Sequence, residues 1–285
     1  FILIGINGLN LGVDFKGGRS YVVAFDAPVV ATDMRIKLTD EFEGSGTEVK
    51  TYGSSNVVRV TTSYLVDDES SEADVKVKAA LIDGVGKFSG KQFVENNDAI
   101  DKGHFSILSS SKVGATIADD IKDSAFEASL YSLIAIFIFI LIRFKKWQYS
   151  LGAILSTAHD ALFVVAVFGI ADTFGFSLEI DQVFIAALLS VIGYSINDTV
   201  IIFDRIREYT HLGTSHDRLK VFNDAINSTL SRTLITSGTT LIVVVVLLLF
   251  GGEVLRGFSF ALFVGIMVGT FSSIFIAASV VYDLD

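Results

Sequence analysis

The chain has 285 residues, 51% of them hydrophobic, and a formal net charge of −10 at pH 7. This acidic balance argues against a nucleic-acid-binding protein, because contacts to phosphate require a basic surface. The chain has no cysteine, which excludes disulfides and thiolate metal sites, and its four histidines lack zinc-ligand spacing, so neither a metal nor a cofactor is predicted.

Charge is distributed unevenly along the chain. Residues 1–125 hold 13 Lys and Arg against 19 Asp and Glu, whereas residues 126–285 hold 9 and 13. The second part also contains long runs without any ionisable residue. This distribution predicts a water-facing domain followed by a membrane domain.

The first part of the chain is predicted to form an external domain over residues 11–112. Residues 1–10 are apolar and lack a basic leader, so they are predicted to be the tail of a truncated first membrane span. The predicted strands and helices then alternate as β-α-β-β-α-β, at 19–26, 29–42, 47–52, 56–63, 72–88 and 104–109. This order is typical of an α+β, ferredoxin-like domain.

The second part, residues 113–285, is predicted to form an all-α bundle of transmembrane helices. Each apolar stretch is about 20 residues long, as a bilayer core of about 30 Å requires. The predicted spans are 126–142, 149–170, 182–203, 234–250 and 258–281.

Basic residues in the short loops predict the orientation of these spans. They cluster in residues 143–146 and 205–220, whereas residues 171–181 have none. This pattern predicts that the loops 143–148 and 204–231 lie in the cytoplasm and that residues 11–112 lie outside the cytoplasmic membrane.

Two ionisable residues within or beside neighbouring apolar stretches are the main candidates for function. Asp198 and Arg232 are predicted at similar depths, and a charge at membrane depth costs several kcal/mol unless it has a partner or a task. Hydroxyl residues around Arg232, among them Thr233 and Thr236, are typical of a wet cavity lining. The pattern suggests a relay for a proton or another ion.

Other interpretations of these residues remain open. Asp198 and Arg232 could form a static ion pair that fixes helix register. Asn197 and Tyr194, near the same face as Asp198, could pack or form hydrogen bonds between helices. His159 and Asp160 form a second intramembrane site, either a proton path or an interhelical hydrogen bond.

Several motifs resemble those of the SecD/SecF protein-export family. An entry motif, Gly12, Asp14, Phe15, Gly17 and Gly18, lies directly before the predicted external domain. Residues 194–208, 228–240 and 269–278 resemble the membrane motifs of the SecF half. The resemblance covers nearly the whole chain, although the first SecF span is almost absent and the SecD half is missing.

This resemblance implies a multi-pass protein of the cytoplasmic (inner) membrane. The sequence contains no G-x-x-x-x-G-K-[ST] loop of an ATPase, so the chain is not predicted to be an enzyme. The resemblance also implies an accessory subunit of the Sec translocon that uses the proton-motive force for protein export, with Asp198 and Arg232 at the functional positions. The implied partners are the SecD half, the SecYEG translocon, unfolded preproteins and membrane lipid. The alternatives are a proton-driven exporter of small molecules or lipids and a structural translocon scaffold. H⁺ and Na⁺ both remain open as the coupling ion.

Overall fold

The computed structural model of the chain describes residues 9–68, 70–95, 102–171, 178–213 and 216–284. Residues 1–8 of the predicted first-span tail lie outside the described residues. The chain divides into two compact units, Leu11–Ser124 and the rest of the chain.

The first unit is a ferredoxin-like domain, as predicted. Its elements are α1 (Val13–Lys16), β1 (Gly18–Phe25), α2 (Ala31–Glu41), β2 (Thr47–Tyr52), β3 (Ser54–Thr62), α3 (Ser71–Ser89), β4 (Gln92–Phe93) and β5 (His104–Val113). The sheet has the order β2-β3-β1-β5-β4, and all its strand pairs are antiparallel except β4 with β5. Strand β4 was not predicted, because a strand of two residues is too short to show the alternation of apolar and polar residues that indicates a strand.

The helices of this domain cover one face of the sheet. Along β1, Tyr21, Val23 and Phe25 belong to the core that also holds Met34 of α2. Helix α3 contributes a fully buried stripe spaced four residues apart, Val77, Leu81 and Val85. The helix begins after Ser70, whose hydroxyl accepts a bond from Ala73 N at 3.2 Å, and ends at Gly90 in the left-handed conformation.

The entry motif forms a tight turn into the sheet. Gly12 caps the single turn α1, in which Phe15 is buried, and Gly17 and Gly18 follow with φ of +71° and +126°. A Cβ on Gly18 would lie 2.5 Å from the backbone oxygen of Thr62 on β3. Positive φ therefore favours glycine at both positions, and the lack of a Cβ at Gly18 also allows two strands to approach closely.

Replacing Gly18 with alanine is expected to destabilise the external domain by about 2–4 kcal/mol, since positive φ and backbone overlap add. Gly44→Ala is the matched control, because Gly44 also has positive φ (+77°) but would place its Cβ in open space. Hydrogen exchange of β1 and β3 amides in the full chain measures both variants. Equal effects would show that the overlap with Thr62 contributes nothing.

Arg19 of β1 is buried beneath the segment that joins β3 to α3. Its side chain is 2% exposed, and its guanidinium donates to the backbone oxygens of Tyr64, Leu65 and Asp68. It also forms a hydrogen bond and an ion pair with the Asp74 carboxylate, with N···O distances of 2.7–2.8 Å. One side chain therefore fastens the connecting segment and the first turn of α3 to the centre of the sheet.

The second unit is a bundle of apolar helices. They are the part of α4 (Ala115–Phe144) that follows Ser124, α5 (Trp147–Ala171), α6 (Gln182–Leu212), α7 (Arg218–Phe250), α8 (Gly252–Ser272) and α9 (Ala278–Leu284). A π-helical turn, Ser273–Ala277, joins α8 to α9 within one long span. Five helices among the described residues are long and apolar enough to cross a membrane.

Helix α6 packs against α5, α7 and α8, whereas α4 leaves large side chains such as Phe126, Ile138 and Ile142 exposed. Gly265 and Gly269, a GxxxG pair in α8, provide the close contact with α6. A Cβ on Gly265 would lie 2.2 Å from a methyl group of Val191, and one on Gly269 would lie 3.1 Å from Cβ of Ser195. The small residues thus bring α6 and α8 close together.

The helices continue beyond the apolar stretches that predicted them. Asp181 caps α6 by accepting from Phe184 N at 2.7 Å, and α6 then continues to Leu212. Helix α7 begins at Arg218, 16 residues before the predicted span at 234. Hydropathy predicts only the apolar middle of each helix, because that is the part that crosses the bilayer core. The charged turns at the helix ends therefore fall in the predicted loops.

Candidate functional site

Asp198 lies inside the bundle, where α6, α7 and α8 meet. The residue is 1% exposed, and its Oδ2 accepts a hydrogen bond from Ser237 of α7 at 3.2 Å. The Thr270 hydroxyl of α8 lies 2.8 Å from the Ser237 hydroxyl. Oδ1 of Asp198 is buried and has no hydrogen-bond partner within the described part of the chain. One acceptor of this carboxyl group is therefore available for a proton.

Arg232 is not paired with Asp198 in this structure. Its side chain is exposed, and no ion pair joins it to a carboxylate of the described residues. It precedes Ser237 by five residues, which places it about 7.5 Å along α7 and about 140° around the helix from the residue that contacts Asp198. In this structure Ser237, rather than Arg232, is the residue of α7 that bonds to the Asp198 carboxylate, and the similar depth of Asp198 and Arg232 stays a prediction.

Only some hydroxyls near Arg232 bond between helices. Thr233 lies four residues before Ser237, is 1% exposed, and has a buried hydroxyl without a hydrogen-bond partner among the described residues. The Thr236 hydroxyl instead donates to carbonyl oxygens of its own helix, those of Arg232 at 2.9 Å and Thr233 at 3.0 Å. Such bonds within one helix are usual for threonine and leave less polar surface for a cavity than the sequence suggested.

The two residues considered beside Asp198 face in different directions. Tyr194 donates to the Thr240 hydroxyl at 3.2 Å and so links α6 to α7, which confirms the interhelical hydrogen bond among the interpretations. Asn197 is exposed and lines a groove with residues of α4, such as Ile136 and Phe139. It follows that Asn197 does not contribute to the surroundings of Asp198.

Asp160 on α5 forms a second buried carboxylate site. It is fully buried, and its Oδ2 accepts from Ser195 of α6 at 2.5 Å and from Ser272 of α8 at 2.7 Å. Its Oδ1 lies 3.2 Å from Nδ1 of the neighbouring His159, whose side chain is 39% exposed. This carboxylate joins three helices, so the interhelical hydrogen bond that the sequence allowed is present.

Three serine hydroxyls bond to the two carboxylates: Ser195 and Ser272 to Asp160, and Ser237 to Asp198. Ser237 belongs to the hydroxyl-rich stretch near Arg232 that the sequence indicated, whereas the other two were not singled out. One signal could have found Ser272: it lies three residues after Gly269, in the small-residue stretch of α8 where another helix approaches closely. Ser195 lies one turn before Asp198 on the same helix.

Charged residues gather at the end of the bundle where α6 extends beyond its apolar part. Asp204 accepts from Arg143 of α4 at 2.8 Å and from Arg207 at 2.9 Å. Arg218, at the start of α7, donates to the backbone oxygen of Tyr282 at 2.5 Å. The first set of contacts joins α4 to α6 and the second joins α7 to α9. The charged residues in both sets lie at positions that the sequence predicted to face the cytoplasm.

Two family models match the chain. The model described as protein export membrane protein SecD/SecF, C-terminal, matches residues 92–285, and the SecD/SecF GG motif matches residues 2–29. The second match contains the entry motif, in which Gly17 and Gly18 have positive φ.

Curated relatives and solved structures agree with these matches. The chain is 44% identical over 280 residues to protein translocase subunit SecF of Rhodothermus marinus, covering 97% of this chain and 84% of the relative. It is 31% identical over 286 residues to the SecF subunit of Escherichia coli O157:H7, covering 99% and 81%.

Two solved structures of SecDF have the same fold. The crystal structure of SecDF from Thermus thermophilus, described as a translocon-associated membrane protein, superposes with a TM-score of 0.78 at 32% identity. That match covers 98% of this chain and 35% of the SecDF chain. SecDF in the super-membrane-facing form superposes with a TM-score of 0.62 at 30% identity, covering 99% and 35%. This chain therefore spans about a third of the SecDF chain.

Proposed function

Because the chain belongs to the SecD/SecF protein-export family, we propose that it is an accessory subunit of the Sec translocon that uses the proton-motive force to assist protein translocation. Membership of this family, together with five apolar helices, makes the chain a multi-pass protein of the inner membrane with an external domain. Its relatives are named for protein translocation rather than for a catalysed reaction.

The observation that carries the proton-coupling proposal is the environment of Asp198. A carboxylate that is 1% exposed in a membrane bundle is costly to keep ionised, and here one of its oxygens has no hydrogen-bond partner among the described residues. The other oxygen has a single hydroxyl donor, Ser237. Neutralising such a carboxylate weakens only one hydrogen bond among the described residues, so Asp198 is suited to alternate between an ionised and a protonated form.

The proposed mechanism is a change of helix packing driven by this proton. An O–H bond formed at Oδ1 neutralises Asp198 and removes its attraction for the Arg232 guanidinium on α7. Two packings of α6 against α7 then exchange, and Arg232 approaches the carboxylate in the one where Asp198 is ionised. A charge crossing a potential of about 100 mV supplies roughly 2.3 kcal/mol, which shifts a two-state equilibrium by more than tenfold.

The proposed partners follow from the family. The SecD half would complete the membrane assembly, since this chain matches only 35% of a SecDF chain. The assembly would associate with the SecYEG translocon and act on unfolded preproteins outside the membrane. Lipid would cover exposed apolar side chains that the SecD half leaves free, such as Ile242, Leu249 and Phe250 of α7.

Asp198→Asn is expected to reduce the proton current of the SecD–SecF assembly at least tenfold, because the amide cannot take up and release a proton. The current is measured in proteoliposomes under an imposed proton gradient. Asp204→Asn is the matched control, since Asp204 lies on the same helix but is 39% exposed and paired with arginines.

The same variants are then tested for protein export in cells that depend on this chain. A current that survives Asp198→Asn contradicts the proposed proton site. Export that survives both Asp198→Asn and Arg232→Ala contradicts energy coupling altogether and leaves a structural role in the translocon.

A further inference from the structure

The pair of His159 and the buried Asp160 has no part in the mechanism above. Asp160 is fully enclosed by α5, α6 and α8, while His159, the next residue before it, is 39% exposed. The imidazole therefore connects an enclosed carboxylate with the outside of the described bundle. In this arrangement Asp160 can hold a proton, and His159 can transfer a proton to it from the exposed side.

The contacts of Asp160 fit an ionised carboxylate. Two hydroxyls, Ser195 and Ser272, donate to the same oxygen at 2.5 and 2.7 Å, distances typical of charge-assisted bonds. Opposite them, Nδ1 of His159 lies 3.2 Å from Oδ1 and supplies a positive charge when it is protonated. The ionised form is therefore the one that these three partners hold in place.

Within the described residues, the other helices contribute no competing charge to this site. Besides Ser195, α6 carries Asp198 one turn further on, but that carboxylate bonds with Ser237 on α7. Helix α8 contributes only hydroxyls at this level, those of Thr270 and Ser272. Among residues 9–68, 70–95, 102–171, 178–213 and 216–284, His159 is the one ionisable side chain in contact with Asp160.

The geometry fits a proton rather than a metal ion. A hard cation requires several oxygen atoms whose lone pairs converge on it. Here the two serine hydroxyls direct hydrogen atoms at Oδ2, and a ring nitrogen faces Oδ1. No group of three His, Asp or Glu that could hold a metal occurs among the described residues.

We propose that His159 and Asp160 form a second proton-binding pair, and that transfer of a proton from His159 to Asp160 loosens α5 from α6 and α8. This inference rests on the proposed proton coupling and extends it to residues beyond Asp198 and Arg232. In the step, the Nδ1–H bond of the imidazolium breaks and an O–H bond forms at Oδ1. Neutral imidazole and neutral carboxylic acid remain, so the total charge is unchanged.

Neutralising Asp160 weakens the bonds that hold α5. Hydrogen bonds to an ionised acceptor are roughly twice as strong as those between neutral groups, so both serine bonds lose strength together. Two turns before Asp160, Gly152 packs so closely that a Cβ there would lie 2.8 Å from the Ala277 oxygen in the π-turn. With the serine bonds weakened, α5 can pivot on this remaining backbone contact.

The absence of native cysteine allows this movement to be measured directly. Spin labels at Leu155→Cys on α5 and Phe275→Cys in the π-turn replace two exposed side chains. Pulsed electron paramagnetic resonance then gives the distance between the labels at pH 8 and pH 5, in the SecD–SecF assembly with a cysteine-free partner in proteoliposomes. We expect the distance distribution to shift between the two pH values.

Asp160→Asn is expected to give the pH 5 distribution at both pH values, because the amide imitates the neutral acid. Ser272→Ala is expected to move the pH 8 distribution towards the pH 5 one. Ser190→Ala is its matched control, since the Ser190 hydroxyl is exposed and, within the described part of the chain, bonds only to Ala186 O of its own helix.

The Asp198→Asn assembly separates this inference from the proposed function, because it should lose the proton current and keep the pH-dependent distance shift. Labels that still move with pH in Asp160→Asn overturn the inference. A shift that follows sodium chloride at constant pH, rather than pH, overturns it as well.

Discussion

Replacing Gly265 with valine is expected to separate α8 from α6 and to prevent the membrane bundle from reaching its folded packing. A Cβ at position 265 would lie 2.2, 2.6 and 2.9 Å from three side-chain atoms of Val191. Val191 is fully buried and β-branched, so it has no flexible end that could move aside. Overpacking of this kind costs about 1–3 kcal/mol or more, and helix association in a membrane depends on such close packing.

The matched control is Gly257→Val on the same helix, where an added Cβ meets nothing within 4 Å. Both variants carry the same change in helix propensity, so their difference reports the contact alone. The fraction folded is measured by titrating the purified chain in mixed micelles with a denaturing detergent. Val191→Ala should partly restore a Gly265→Ala chain, and equal behaviour of the two valine variants would contradict the proposed contact.

Arg19→Ala is expected to destabilise the external domain by about 3–4 kcal/mol, because it removes a buried guanidinium that donates to three backbone oxygens, and each unsatisfied buried group costs about 1–3 kcal/mol. The change leaves three backbone oxygens and the Asp74 carboxylate without the donor that they share. Hydrogen exchange of α3 amides in the full chain should accelerate by a factor of about 10²–10³. Arg35→Ala, an exposed arginine of α2, is the control and should change exchange little.

The stability of the external domain, measured by the same hydrogen exchange, is expected to fall at acidic pH. Hydrogen bonds from Lys112, and then from Arg19, hold the pKa of Asp74 below its ordinary value. Because the pKa of Asp74 is lower in the folded state than in the unfolded state, these bonds stabilise the domain at pH values above the ordinary pKa of aspartate. The stabilisation is lost as the pH falls through the lowered pKa of the folded state. Asp74→Asn should therefore be less sensitive to acid than the unaltered chain. Equal acid sensitivity would contradict a role for this carboxylate.

The fold of the external domain could be predicted because its pattern is local. β-Branched and aromatic residues such as Tyr21, Val23 and Phe25 mark β1, which is buried along its whole length, and Val77, Leu81 and Val85 mark a helix face. Strand β4 has only two residues, Gln92 and Phe93, and its pairing with β5 depends on the rest of the sheet. No local pattern identifies such a strand.

The site could be predicted only in part, for a different reason. Asp160 and Asp198 stand out in sequence because charge is costly in an apolar stretch. The rotation of each helix about its axis decides which residues meet them, and hydropathy does not contain this angle. Ser237 therefore contacts Asp198, whereas Arg232 on the same helix is exposed.

The π-turn in the last span alters which side of that helix faces its neighbours. At a constant 100° per residue, Val281 would lie about 160° around the axis from Gly265. The π-turn, Ser273–Ala277, takes up about one extra residue, which brings Val281 back to about 60°. Val281 is indeed buried with Ile202 and Phe203 of α6, the helix that Gly265 contacts. A helical wheel drawn with one uniform period would therefore assign the end of this span to the lipid.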